Sequence, residues 1–302
     1  MLRFVGRRIL FILFIYLLII FFVHLSMRMV RNSEISRPDY DVVEYAKLAW
    51  QDTRLTISSL LRGDLGSVRT EYGMMPVKDV LADAYTKSMG LLLVSLACAT
   101  VGGLLIGGVI ALTRYKAVVL LLLGLTVLGV SVPSFFAGLL LQVGELKYLA
   151  TFGRPLVKMA GFGWDVEHML MPVLVLAARP LAYLTRATFI SLRNVMEEDY
   201  IRTGFAKGLS LTSIIIEHAL RNVAVPVLTA VGVSVRFSLS TLPVVEFFFA
   251  WPGLGRGLLE AINARQTVVV VALASALGLT FLTTNLLLDV VYRIVDPRMR
   301  EL

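Results

Sequence analysis

The sequence predicts an all-α membrane protein with six transmembrane helices. Of its 302 residues, 57% are hydrophobic and only 17% are charged, and the mean hydropathy of +0.80 lies outside the range of soluble globular proteins. Six apolar runs are each long enough for a helix to cross the hydrocarbon core, which takes about 20 residues. The runs are continuous rather than alternating, and this favours helices over a membrane β-barrel.

The six runs follow one another along the chain, and polar or charged residues separate them. They lie at 9–27, 88–112, 117–142, 169–192, 223–245 and 267–292. The second run contains Gly103 and Gly107, a spacing that lets another helix approach closely. The third contains Pro133, which frees a carbonyl and bends the helix; a structural kink is the preferred interpretation and a cavity-lining kink the alternative. Cys98, the single cysteine, is expected to be a buried structural thiol.

The distribution of basic residues predicts the orientation in the membrane. The formal charge of +8 invites a nucleic-acid interpretation, which we reject because the basic residues gather at helix ends and in loops on one side. These residues are Arg3, Arg7, Arg8, Arg114, Lys116, Arg193, Arg202, Lys207, Arg221, Arg293, Arg298 and Arg300. By the positive-inside rule, both termini are cytoplasmic. No small-residue cleavage site follows the first run, so we expect a membrane helix there and not a signal peptide.

The runs divide the chain into three parts. Residues 1–30 hold the N-terminal segment and the first transmembrane helix, 31–87 form an extracytoplasmic segment, and 88–302 form the core with a cytoplasmic loop at 193–222. The extracytoplasmic segment is expected to contain a few short helices packed on the membrane face. In the loop at 246–266, Trp251 and three phenylalanines are expected at the headgroup level, and Pro252-Gly253 predicts a tight turn before a short amphipathic helix.

The most informative stretch is the polar segment at 197–226, which separates two apolar runs. Its length of roughly thirty residues exceeds that of most links between helices, because ordering extra chain is costly. We expect a two-turn helix over 200–207, with Gly208 in the left-handed conformation that ends it and Ser210 capping the next helix. This shape indicates a docking surface on the aqueous side, anchored by Phe205. The alternative is that Phe205 packs back onto the membrane core.

Motifs for catalysis are absent from the sequence. We find no Gly-Lys-Ser/Thr phosphate loop, no HExxH, no Cys/His cluster and no Gly-x-Ser-x-Gly. We therefore expect a non-catalytic chain without a metal or cofactor of its own, and not a membrane hydrolase. An ion-coupled secondary transporter would require carboxylates buried in the membrane to bind the coupling ion. The only acid inside a predicted span is Asp289, for which an ion pair with the nearby Arg293 suffices.

Several motifs in one order resemble the integral-membrane permeases of the dipeptide, oligopeptide and nickel class of ATP-binding-cassette (ABC) importers, above all their B-type subunit. The matching stretches are Gly63-Asp64-Leu65-Gly66, Met171-Pro172-Val173-Leu174, Asp199-Tyr200-Ile201-Arg202-Thr203, Ala206-Lys207-Gly208-Leu209-Ser210, His218-Ala219-Leu220-Arg221-Asn222, Pro226, Glu246, Trp251-Pro252-Gly253-Leu254-Gly255-Arg256, Asn285, Asp289, Tyr292 and Asp296-Pro297-Arg298. The resemblance is dense over the C-terminal third and loose elsewhere. The chain departs from it at Gly204-Phe205, where the family commonly has Ala-Arg, and at 27–30 and 240–243, near the outer face.

The resemblance implies a type I ABC-importer permease fold in a bacterial inner membrane, with short peptides as cargo. Nickel chelates, glutathione and small glycans are the alternative cargoes. The implied partners are a second, homologous permease that completes a heterodimer, two ATPase subunits that carry ATP and Mg²⁺, an extracytoplasmic substrate-binding protein and the lipid bilayer, with no nucleic acid.

Two sets of functional residues are expected, one that the resemblance implies and one that depends mainly on the depth of two arginines in their spans. ATPase coupling is expected at Tyr200, Arg202, Thr203, Phe205, Ala206, Lys207, Gly208 and Ser210. The translocation pathway is expected at Arg179, Arg236, Glu246 and Trp251. Arg179 and Arg236 lie near mid-span, where a charge costs about 2.5–3.5 kcal/mol, so each should face a partner or water. The alternative for Arg179 and Arg236 is a packing role, with hydrogen bonds to helix carbonyls. Arg186 fits this packing role better.

Overall fold

The structure, a computed structural model, describes residues 2–33, 42–70 and 73–295. Within these ranges the regular secondary structure is helical apart from one two-stranded hairpin. The matching stretch Asp296-Pro297-Arg298 and the basic residue Arg300 lie outside the described residues. The elements in chain order are α1 (Leu2–Ser33), α2 (Val42–Leu61), β1 (Ser67–Thr70), β2 (Gly73–Pro76), α3 (Val77–Leu112), α4 (Lys116–Ser131), α5 (Ser134–Phe152), α6 (Val166–Met196), α7 (Asp199–Ala206), α8 (Leu211–Ser213), a π-helical turn (Ile214–Ala219), α9 (Leu220–Phe248), α10 (Leu254–Asn263) and α11 (Thr267–Val295).

Membrane-spanning length is reached by five single helical stretches among the described residues. They are Gly6–Val30, Val77–Leu112, Val166–Met196, Leu211–Phe248 and Thr267–Ile294. The fourth of these joins α8, the π-helical turn and α9 into one helix that begins in the polar segment. A sixth span is present only if α4 and α5 are counted together.

The third predicted span is not one helix with a kink. It forms α4 and α5, which are bent by 109° against each other. Pro133 has no amide hydrogen to donate, and its ring disfavours helical backbone at the preceding residue. Val132 accordingly adopts an extended conformation, with φ −77° and ψ 124°. The sequence located the break correctly, but the prediction of a single bent helix over 117–142 is wrong.

The first of two compact units comprises Met1–Met89 and Ala250–Leu286. In it, α1 packs along α2, where the Nε of Arg28 donates to Oδ2 of Asp52 at 2.6 Å and Nε2 of His24 lies 2.9 Å from Oγ1 of Thr56. The predicted few short helices are wrong, since α2 is a single helix of 20 residues and an antiparallel hairpin follows it. The buried apolar core of this unit contains Met27, Val68, Val77, Ala84, Leu254, Ala261, Val269, Val270, Ala272 and Leu273.

The second unit comprises Gly90–Phe249 and Leu287–Leu302, and α6 packs against α4, α5 and α9 in it. Gly103 and Gly107 of α3 lie directly against the backbone of α6, since a Cβ on Gly107 would come within 2.6 Å of the Thr185 carbonyl oxygen. The predicted close helix packing is therefore confirmed. Cys98 is exposed on α3, so its predicted burial is wrong. A membrane helix has an apolar outer face, and an apolar sequence does not tell that face from the inner one.

Candidate functional site

The two-turn helix α7 exposes a polar face and two aromatic side chains. It spans Asp199–Ala206, and Asp199 in the first turn complements the positive end of the helix dipole. Ile201 and Gly204 are buried, and the side chain of Ile214 from the π-helical turn contacts the Gly204 position. The expected coupling residues Tyr200, Arg202, Thr203, Phe205, Ala206, Lys207, Gly208 and Ser210 are all exposed.

The end of α7 is fixed by a left-handed glycine, as predicted. Gly208 has φ +82°, a conformation that costs other residues about 1–2 kcal/mol. The amide of Leu209 donates to the Gly204 carbonyl at 3.2 Å and that of Gly208 to the Phe205 carbonyl at 3.0 Å, the paired bonds of a Schellman motif. Ser210 then caps the following helix, since its Oγ accepts from the Ser213 amide at 3.2 Å. The predicted helix, stop and cap are confirmed.

Phe205 and Tyr200 are the two aromatic residues of α7, and they differ in how they are held. The Oη of Tyr200 accepts a hydrogen bond from Nδ2 of Asn222 at 2.7 Å, so this ring is tied to the base of α9. Phe205 is 46% exposed. The alternative in which Phe205 packs back onto the membrane core is therefore excluded for this chain by itself. A large apolar ring exposed on a charged helix has the properties of an interface anchor.

The two mid-span arginines have different environments. The Nη2 of Arg236 donates to Oδ1 of Asp289 at 3.2 Å, and the guanidinium lies 6.0 Å from the ring centroid of Tyr292. Arg179 is exposed, and its contacts with the part of the chain that the structure describes are a long hydrogen bond of 3.4 Å to the Val130 carbonyl and a contact with the Phe237 ring. The expectation that Asp289 needs only Arg293 as its partner missed the contact with Arg236, because 53 residues separate the two in sequence.

The other two expected pathway residues are buried inside their units. Glu246 lies in α9 and not in a loop, because α9 continues to Phe248. Trp251 has no exposed surface, and its Nε1 donates to the Lys87 carbonyl at 3.1 Å, so it is not presented to the lipid headgroups as expected. The predicted turn at Pro252-Gly253 does lead into the short helix α10. Arg186 is held by Oγ1 of Thr126 at 2.9 Å, in keeping with a packing role.

Comparison with known proteins identifies the family of this chain. Residues 103–301 match the family described as binding-protein-dependent transport system inner membrane component. The chain belongs to this family. It is therefore an inner-membrane permease of the ABC importer class, which rules against the ion-coupled transporter considered above.

Two groups of relatives resemble the permease over most of its length. It is 35% identical over 247 residues to the glutathione transport system permease protein GsiC of Escherichia coli O6:H1, which covers 81% of this chain and 77% of that protein. It is 32% identical over 281 residues to the dipeptide transport system permease protein DppB of Escherichia coli K12, covering 84% and 82% of the two chains. Both similarities extend well beyond the polar segment that carries the densest motifs.

Sequence reasoning missed one buried polar residue of the permease. Glu145 of α5 is buried, and its Oε1 accepts hydrogen bonds from the amides of Leu156 at 2.7 Å and Val157 at 3.2 Å. It thereby holds the loop that follows α5. A lone glutamate inside an apolar stretch was the available signal, since a charge there needs local partners.

Proposed function

We propose that this permease carries short peptides across the inner membrane, as one half of a heterodimeric pathway driven by two ATPase subunits. Its six spans would be those of a type I fold, with α4 and α5 together as the third span and both termini in the cytoplasm. A binding protein would deliver the cargo from outside, and ATP and Mg²⁺ would be held by the ATPases and not by this chain. Family membership and the similarity to a dipeptide permease support this proposal.

The observation that carries the coupling proposal is the exposed Phe205 on the capped helix α7. We propose that this helix, with Tyr200, Arg202, Thr203, Phe205, Ala206, Lys207, Gly208 and Ser210, docks into a groove of one ATPase. Its buried face rests on the π-helical turn at Ile214–Ala219, through the contact between Gly204 and Ile214. That turn belongs to the continuous helix Leu211–Phe248, so a displacement of α7 is passed directly into a membrane span.

Glutathione is a second candidate cargo, because the permease is 35% identical to a glutathione permease. Glutathione is itself a short peptide with free carboxylates, so the two candidates share their chemistry. The discriminating measurement is uptake by the complete transporter in proteoliposomes that contain the partner permease, both ATPases and the binding protein. We expect ATP-dependent accumulation of dialanine or glutathione, and a transporter that accumulates neither would contradict the proposed function.

The coupling proposal has its own test in Phe205→Ala. Truncation of an interface anchor typically costs about 2 kcal/mol or more, so the variant should co-purify with less ATPase and transport more slowly. Leu211→Ala is a matched control, since Leu211 is another exposed apolar side chain close to α7 in sequence. Normal recovery of both ATPases with Phe205→Ala would contradict the docking role, while the rest of the proposed function would stand.

A further inference from the structure

Arg179 is a cation in an apolar helix of the second unit, and no anionic group among the described residues pairs with it. It is the fourteenth residue of α6, a helix of 31 residues that is apolar enough to span the membrane. Among the residues that the structure describes, its contacts are the 3.4 Å hydrogen bond to the Val130 carbonyl and the Phe237 ring at 5.8 Å. Neither neutralises its charge. Arg236, in contrast, already has the carboxylate of Asp289.

The surroundings of Arg179 form a cleft of ≈ 380 Å³. The cleft lies at the bend between α4 and α5 and is lined by residues of α4, α5, α6 and α9. Its walls are apolar, and the hydroxyls of Ser134 and Thr241 are its polar side chains besides the guanidinium. None of the described residues that line the cleft carries a carboxylate. This volume falls within the range of small-molecule sites, which combine apolar walls with a few placed polar groups.

Pro180 also leaves one helix carbonyl of α6 without its usual donor. Pro180 follows Arg179 and has no amide hydrogen, so the carbonyl of Leu176, which lines the cleft, lacks the donor four residues further along α6. The cleft itself offers a cation and two hydroxyls. A short peptide carries the complementary groups, a terminal carboxylate and amide hydrogens.

Lipid is a poor occupant for this cleft. A charged side chain at the middle of a membrane helix is unfavourable against hydrocarbon, and such residues face water or a polar partner instead. The exposed guanidinium thus indicates a surface open to water or to a charged cargo. An arginine fork also matches a carboxylate in geometry and charge, because its donors form two parallel hydrogen bonds.

We infer that Arg179 binds the carboxylate of the peptide cargo in the cleft at the bend between α4 and α5, and so selects cargo with a free carboxyl group. This inference rests on the proposed function and names the chemistry that the pathway recognises. Arg236 is left outside this role, because its charge is already paired with Asp289.

The test uses the complete transporter in proteoliposomes, with binding protein at saturating concentration. Dialanine or glutathione, whichever the wild-type complex carries, is compared with its carboxamide. Loss of one charge-assisted hydrogen bond corresponds to about tenfold in rate. We expect Arg179→Gln to lower the maximal rate for the free acid about tenfold, to the level of the amide, and to leave the amide unaffected. Arg179→Lys should keep most of the preference for the free acid.

Arg186→Gln is the matched control. It also removes a guanidinium from α6, but that guanidinium is hydrogen-bonded to Thr126. It should change the rates for free acid and amide by the same factor.

If Arg179→Gln also changes both rates equally, or if neither Arg179 variant assembles with its partners, Arg179 is a packing residue and the inference is overturned. If the wild-type complex carries neither cargo, the proposed function fails and the inference fails with it. Transport of free acid by wild type and Arg179→Gln at equal rates overturns the inference alone.

Discussion

At the scale of single residues, the ion pair of Arg236 and Asp289 joins α9 to the C-terminal part of α11 within the second unit. The pair is partly accessible, with side chains 37% and 21% exposed. Removing one of the two charges takes away the opposite charge that faces the other, which is less favourable than removing both. The pair therefore serves first to hold the two helices in register.

This arrangement predicts the outcome of a double-mutant cycle. Arg236→Gln and Asp289→Asn should each lower the thermal stability of the assembled complex, by about 1–3 kcal/mol after allowance for the exposure of the pair. The double variant should recover most of that loss, because no uncompensated charge remains. Thermal unfolding monitored by the amount of complex that survives heating measures the effect. Strictly additive losses would show that the two residues do not interact.

Two adjacent glycines of α3 offer a second residue-scale prediction. A Cβ on Gly107 would lie 2.6 Å from the Thr185 carbonyl oxygen of α6, whereas a Cβ on Gly108 would meet nothing within 4 Å. Gly107→Ala should destabilise the permease by about 1–3 kcal/mol, because backbone cannot move aside. Gly108→Ala should be neutral or stabilising by up to about 1 kcal/mol through helix propensity. Equal midpoints of thermal unfolding for the two variants would contradict the close packing of α3 on α6.

At the scale of elements, the stability of the short helix α7 depends on how its C-terminus is capped. A helix this short is marginal by itself, because nucleation is costly and few hydrogen bonds follow. Its stability comes from the Schellman bonds at Gly208 and from the burial of Ile201. The surface that holds Phe205 therefore depends on a backbone conformation that glycine favours.

A pair of glycine variants tests this dependence. Gly208→Ala should strain the left-handed position by about 1–2 kcal/mol and loosen α7, so its amides should exchange faster with solvent. Gly204→Ala is the control, since its Cβ would make only ordinary contacts at 3.6 Å with Ile214 and Leu209. Hydrogen exchange of residues 199–209, measured by mass spectrometry, compares the protection of α7 in the two variants. Unchanged protection in Gly208→Ala would show that the glycine does not hold the helix.

At the scale of the whole molecule, the predicted orientation can be tested with single cysteines. Cys98 is exposed, so Cys98→Ala is the necessary background. Gly161 has φ +110°, which disfavours a cysteine there, whereas Arg154 lies exposed in the same loop. Arg154→Cys should react with a membrane-impermeant thiol reagent on intact cells. Thr212→Cys, exposed beyond the cap at Ser210, should react only after the membrane is opened. The reverse pattern would contradict the orientation drawn from the basic residues.

The sequence by itself determined the class of this protein and the local structure of its polar segment. Apolar runs mark membrane helices because hydrocarbon leaves no alternative for the backbone, and this depends on composition alone. The stop at Gly208 and the cap at Ser210 were predictable for a similar reason, since each depends on a few neighbouring residues. The position of the break at Pro133 was predictable for the same reason, because it depends on the proline and its neighbours in sequence.

Only the tertiary structure decided how these helices meet. The pairing of Arg236 with Asp289 and the burial of Trp251 each depend on packing between residues far apart in the chain, and the 109° size of the bend was likewise seen only in the structure. An apolar helix has similar composition on its lipid-facing and protein-facing sides, so periodicity did not show that Cys98 would be exposed. For the same reason, sequence could place Arg179 and Arg236 at mid-span but could not distinguish the paired arginine from the one that faces a cleft. That difference arises from which carboxylate the fold brings within reach of each guanidinium.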